Sequence, residues 1–201
     1  LSPSERPGAN TNPFMRQGQP PPEPKGDIRG FFDRLGFRWD PAMVAWDTYN
    51  PHPDLAHLPP EVVFLGHGNE NPDVFNPNVT ATASLQQLVL LYPGQLESAL
   101  KEGMTYQPLL ATSIYSGRTP YSLMVQRNFL GASLNRNLRH HPDPMSYTIA
   151  AEVKSAPDED EGESGDIGSP IHVIAMTDVD FISEQFFEIR RMGPGNLNFD
   201  N

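Results

Sequence analysis

Cysteine is absent from the 201 residues of this chain. That excludes a disulfide framework, a thiolate metal site and a cysteine nucleophile, and it is neutral on compartment. Long hydrophobic runs are missing as well, since no apolar stretch approaches the ~20 residues of a membrane-spanning helix. Basic residues are few, 14 against 25 acidic, for a formal net charge of −11. Such a balance offers no electrostatic footprint for a phosphate backbone, so nucleic acid is not expected as a partner. Adsorption of this surface to an anionic membrane is equally disfavoured. Apolar residues make up 37%, below the usual ~45–50%.

Proline accounts for much of that deficit, with 22 residues where average usage is ~5%. Seven prolines fall in residues 1–26, "LSPSERPGANTNPFMRQGQPPPEPKG". That stretch has almost no apolar periodicity and reads as an arm or linker ahead of a single domain spanning residues 27–201. Six acids (Asp158, Glu159, Asp160, Glu161, Glu163 and Asp166) crowd one short run. Removing those six from 25 leaves 19 acids against 14 bases, so the body is only mildly acidic. Residues 157–166 therefore read as a self-repelling, exposed loop between two adjacent strands.

Structure is expected to begin at "DIRGFFDRLGF". Asp27 is a good N-cap, Ile28, Phe31, Phe32 and Leu35 recur at helical spacing, and Gly36 is a natural stop. Extended segments follow at "FRWD", "MVAWD", "EVVFLGHG", "LQQLVLLYPG", "YQPLLATS", "YTIAAEV" and "IHVIAM", with "LESALKEG" either a helical turn or a hairpin arm. Continuously apolar strands such as "VVFL" and "HVIAM" imply burial on both faces, hence a sheet covered by helices. The expectation is an α/β domain with a mostly parallel sheet flanked by few helices.

Candidate chemistry centres on Asp178 and Asp180, at the end of a buried strand where α/β sheets usually bind ligands. The same pair also suits a strand–helix junction, with Asp180 capping a helix that begins near it. His67 and Asn69, in "LGHGNENP" after another strand, complete a candidate site for a small polar ligand. A metal-dependent hydrolase using Asp178 and Asp180 is a weaker alternative. The histidines lack metal-ligand spacing, His140 and His141 being adjacent rather than on one helix face. Ser113 and Ser116 have no elbow motif and no evident base. No cofactor is expected, because no G-x-G-x-x-G or G-K-[ST] loop is present. Asn78 opens one glycosylation triplet, "NVT", common by chance.

Taken in order, "IRGFFDRLGFRWDPAMVAWD", "FNPNVTATASLQQLVLLYPGQLE", "YQPLLATS", "YTIAAEV" and "IHVIAMTDVDFISEQFFEIRR…NLNFDN" resemble the GldG-like family of ABC-transporter auxiliary proteins, including the gliding-motility group. There a "PLL-x-TS" segment precedes a "y-x-ia" strand, and "vv-x-D-x-DF-is" precedes "f-x-N". The resemblance covers roughly residues 27–201. It implies an extracytoplasmic α/β domain akin to glutamine-amidotransferase-like and flavodoxin-like folds, without a catalytic cysteine. It also implies flanking membrane segments absent from this chain, and a non-enzymatic role beside an ABC permease and its ATPase. On that reading the fold is incomplete here, with a strand and helix expected before Leu1 and a helix after Asn201. Contacts are then expected on the exposed side of "IRGFFDRLGFRW" and along an open sheet edge. Limited proteolysis should nick residues 157–166 first and leave the domain folded; an early cut elsewhere contradicts the loop assignment.

Overall fold

A computed structural model of the chain describes residues 26–128, 131–135, 137–155 and 170–184, together with Glu188 and Arg191. The proline-rich arm, apart from Gly26, and the acidic loop 157–166 lie outside the described residues.

Asp27 does cap the first helix, α1 (Ile28–Arg34), its Oδ1 accepting the Gly30 N–H at 3.0 Å. Gly36, at φ +87°, ends it and turns the chain into β1 (Phe37–Trp39). Only half of the periodic apolar set is used inward. Phe32 and Leu35 pack on the core, whereas Ile28 and Phe31 remain 53% and 52% exposed. Seven residues make two turns, too few to bury a full stripe against a three-residue strand.

The strands follow as β2 (Met43–Asp47), β3 (Val62–Gly66), β4 (Gln87–Leu91), β5 (Leu96–Ser98), β6 (Met104–Ala111) and β7 (Ser116–Pro120). After a single turn, α2 (Tyr121–Met124), come β8 (Val125–Asn128), β9 (Gly131–Leu134), β10 (Thr148–Ser155) and β11 (His172–Met176). The first three residues of the ambiguous "LESALKEG" are thus a strand, β5. Every pairing among the described residues is antiparallel: β1 with β5, β2 with β7, β3 with β4, β8 with β9, and β11–β10–β6 as a three-stranded sheet. This overturns the expected mostly parallel α/β sheet of glutamine-amidotransferase-like or flavodoxin-like form. The fold is built of small antiparallel sheets with few helices.

β3 is buried on both faces, but not by helices. The two-sided burial expected of "HVIAM" is overturned, since His172 and Ile174 of β11 are exposed on a strand that pairs only with β10 among the described residues. Val63 and Leu65 of β3 face the largest core cluster, with Leu88, Leu90 and Ile149. Val62 and Phe64, on the opposite face, pack with Val89 under Tyr49, Leu55 and Leu58 from the proline-rich connection between β2 and β3. Irregular chain therefore does the covering that helices do in a parallel sheet. Backbone hydrogen bonds knit the small sheets together, Ala45 N–H to the Pro93 carbonyl and Asp47 N–H to the Pro60 carbonyl.

β10 lies between β6 and β11 and serves two cores. Its register against β6 slips on either side of Ala150. Ile149 and Ala150 consequently both join the first cluster, while Ala151 and Val153 join a second one with Phe37, Leu96 and Ala175. Re-aiming successive side chains is what such an irregularity does.

The β2–β7 pair meets at a contact only glycine can make. Gly117 lies opposite Trp46, and a Cβ there would stand 2.3 Å from Trp46 Cζ2 and 2.7 Å from Cε2. Trp46 is buried and cannot withdraw. Gly117→Ala should cost at least the ~1–3 kcal/mol typical of overpacking, seen as a lower urea midpoint by tryptophan fluorescence. An unchanged midpoint would mean the sheet opens freely at this point.

Candidate functional site

The expected ligand set divides into two halves. β3 and β4 pair Gly66 with Gln87 at one end and Val62 with Leu91 at the other. His67 and Asn69 follow Gly66. Asp178 sits at the far end, on Leu91. Four residue steps at ~3.3 Å place these ends about 13 Å apart. The structure brings His67 near Asn69 and Asp178 near Asp180, and does not bring the two pairs together.

At the first end, exposed His67 lies with its Nε2 3.2 Å from the Leu85 carbonyl and its ring edge-on to Phe75. Asn69 is only 2% exposed. Its Oδ1 accepts the Asn71 N–H, and Asn71 Nδ2 donates to the Thr112 carbonyl. Asn69 Nδ2 is buried without a hydrogen-bond partner. The two glycines of "LGHG" do not cradle a phosphate; they admit the Tyr49 hydroxyl, which a Cβ at Gly66 or Gly68 would meet at 3.1 or 3.0 Å.

At the second end the two aspartates have unequal roles. Asp178 is buried; one oxygen accepts the Leu91 N–H at 2.8 Å and the other the Asp180 N–H at 2.7 Å. Asp180 is exposed and opens a short 3-10 turn, Asp180–Ile182, with no side-chain cap. The expected Asp180 cap is not formed; the carboxylate that takes up backbone amides here is that of Asp178, which ties β4 to the turn. Burial pushes the Asp178 carboxyl above its ordinary value, against the opposing pull of its backbone donors.

The densest polar cluster is one that neighbouring residues in sequence do not announce. Asp47, 2% exposed at the end of β2, accepts the Ser113 N–H at 2.7 Å, the Ser113 hydroxyl at 2.6 Å and the Tyr49 N–H at 2.9 Å. Thr112 Oγ1 lies 2.7 Å from Ser116 Oγ and accepts the Tyr147 N–H at 2.8 Å. Ser113 and Ser116 are both buried. The hydrogen-bond partners of their hydroxyls are carboxylate, hydroxyl and backbone groups, with no histidine among them. A nucleophile needs an exposed oxygen and a base to take its proton. These serines have neither, so the cluster is a clasp between segments. Its signals, an Asp closing "MVAWD" and "TS" closing "LLATS", are 66 residues apart and could be joined only by the fold.

A half-buried pair was also hidden. His140 Nε2 stands 2.7 Å from Glu61 Oε1, with the imidazole edge-on to Trp46 at 4.9 Å. His141 points outward. Among the described residues no group of three or more His, Asp and Glu could hold a metal ion. None of their helices is long and apolar enough to cross a membrane.

What the surface does present is a mixed patch around α1. Ile28 and Phe31 stand out from the helix. Beside them a shallow depression is lined by Arg29, Asp33, Arg38, Trp39 and Asp40. Arg29 and Asp40 approach to 4.0 Å across it, and Trp39 leans on Phe32 at 5.7 Å. The turn at Gly36 folds β1 back beside the helix that precedes it, which is what gathers these residues.

Residues 6–201 match the family model described as ABC-type uncharacterized transport system auxiliary, and the chain belongs to that family. Its members are auxiliary components of ABC-type transport systems. No curated relative and no solved structure matches the chain.

The Asp178 assignment predicts a pH dependence. A carboxyl whose folded pKa is raised binds its proton more tightly folded than unfolded. Its contribution is fully present below the unfolded value near 3.8 and is lost as pH rises through the folded pKa. The stability of the native chain relative to Asp178→Asn should therefore grow as pH falls from 7 toward 4, read by urea denaturation. A difference that shrinks would show that the ionised form is the better stabilised one.

Proposed function

We propose that this chain is a non-enzymatic, extracytoplasmic auxiliary domain of an ABC-type transport system, acting through protein contacts with the permease and its ATPase. The observation that carries the reading is the α1 patch. It joins exposed Phe31 and Ile28 to half-buried Trp39 and to Arg29 and Arg38. Aromatic residues and arginine are the types enriched in interface cores and at hot spots. The family supplies the setting. The order of "PLLATS", "YTIAAEV" and "IHVIAMTDVDF" supports a place in the gliding-motility group, with the membrane reached only through flanking segments.

A second reading, a small polar ligand held at Asn69, is favoured by one feature, the buried Nδ2 with no partner. An unsatisfied donor of this kind costs about 1–3 kcal/mol, which a bound polar atom would recover.

Binding of the chain to its cognate permease–ATPase complex, followed by interferometry, separates these readings. Phe31→Asp and Arg38→Ala should each weaken association about tenfold or more, with unchanged circular dichroism because both positions are at the surface. Association that ignores both substitutions removes the patch from the reading. Absence of permease binding, together with a polar compound whose stabilisation is lost in Asn69→Ala, would favour the ligand module.

A further inference from the structure

We infer that β11 is an interface between two copies of this chain, paired edge to edge about a two-fold axis at Ile174. Among the described residues the strand borders β10 on one side only. Ser155 N–H donates to the Ile171 carbonyl at 2.9 Å, and Thr177 N–H to the Ile149 carbonyl at 3.2 Å. Bonding alternates along an antiparallel ladder. Residues 171, 173 and 175 and the Thr177 N–H therefore turn toward β10, while the Thr177 carbonyl accepts the Gly94 N–H. His172, Ile174 and Met176 turn theirs outward, and no described residue takes them up.

Natural sheet edges are usually blunted by lysine, proline, a bulge or a covering segment. "HVIAM" has no proline and no lysine, and its register against β10 runs without a slip from Lys154↔His172 to Ala150↔Met176. The irregularity in this sheet lies on the opposite, β6 side. Ile174 is 52% exposed on the outward strand, an apolar side chain open to solvent.

The occupant follows from the register. Outward groups at the first, third and fifth positions of a five-residue strand are self-complementary in the antiparallel sense. His172 pairs with Met176, Ile174 with Ile174, and no group is left over. The three-stranded sheet is doubled, and the two isoleucines cover each other. Such a contact is closed and isologous, as in most homodimers. Each copy carries a net charge of −11, so salt should strengthen the pairing by shortening the screening length, ~8 Å at 0.15 M.

Sedimentation velocity of the whole chain, from micromolar to submillimolar concentration, is the test. The mass should rise from monomer to dimer, and more readily at higher salt. Ile174→Pro removes an outward N–H without touching the β10 ladder and should leave a monomer; Ile174→Lys should do the same by charge. In the native chain, amide exchange at His172, Ile174 and Met176 should slow as concentration rises, a readout that needs no variant. A monomer at every concentration overturns the inference, as does a dimer that survives both substitutions. Protection of those amides only when the permease–ATPase complex is added would assign the edge to a strand from another protein and overturn it equally.

Discussion

Four separate stretches of chain converge on the dipeptide Thr112–Ser113. Ser113 takes the carboxylate of Asp47 from β2 through both its amide and its hydroxyl. Thr112 exchanges bonds with Tyr147 at the head of β10, receives Asn71 on its carbonyl and meets Ser116 at the start of β7. Further directional bonds support this junction, Asn76 N–H to the Leu109 carbonyl and Ala111 N–H to the Val74 carbonyl between the loop after β3 and the three-stranded sheet. Burial alone raises the Asp47 pKa, and its hydrogen bonds offset only part of that penalty. The clasp is therefore better understood as setting geometry than as a large net source of stability. Breaking it would still be costly, because the freed amides and carboxylate are sealed from water.

Glu152 behaves in the opposite way. On the central strand of the three-stranded sheet, and only 4% exposed, it meets Lys154 Nζ at 2.8 Å and His172 Nε2 at 2.6 Å. Those partners, Lys154 first, hold its carboxyl below the ordinary range. Its contribution is thus present above its unfolded value and fades as acid protonates it. Asp47 and Asp178, sunk in the protein, gain over the same range. Acid stability reflects two opposed groups rather than one trend.

The location of the strands was legible in the sequence, and their partnership was not. "MVAWD", "VVFLG", "LQQLVLL" and "HVIAM" each contain a strand close to where its apolar run suggests. Two-sided burial was also read correctly for β3. The error lay in the identity of the cover, since apolar runs look alike beneath a helix or beneath a loop holding Leu55 and Leu58. At the site, the exposed side of "IRGFFDRLGFRW" could be anticipated, because a short amphipathic helix has few residues to bury it against. The split between His67 with Asn69 and Asp178 with Asp180 could not. It depends on which end of a ribbon each loop leaves from, and that is a property of pairing rather than of any local segment. The role of Asp178 was hidden for a similar reason: its partner Leu91 is 87 residues away.

The slip around Ala150 lets one strand pack into both main cores. A fold assembled from small two-stranded units invites piecemeal melting, each ribbon opening at its own temperature. With Ile149 and Ala150 in one cluster and Ala151 and Val153 in the other, neither core can be exposed without dragging the central strand out of its neighbour. The shared strand turns a patchwork into a single cooperative unit.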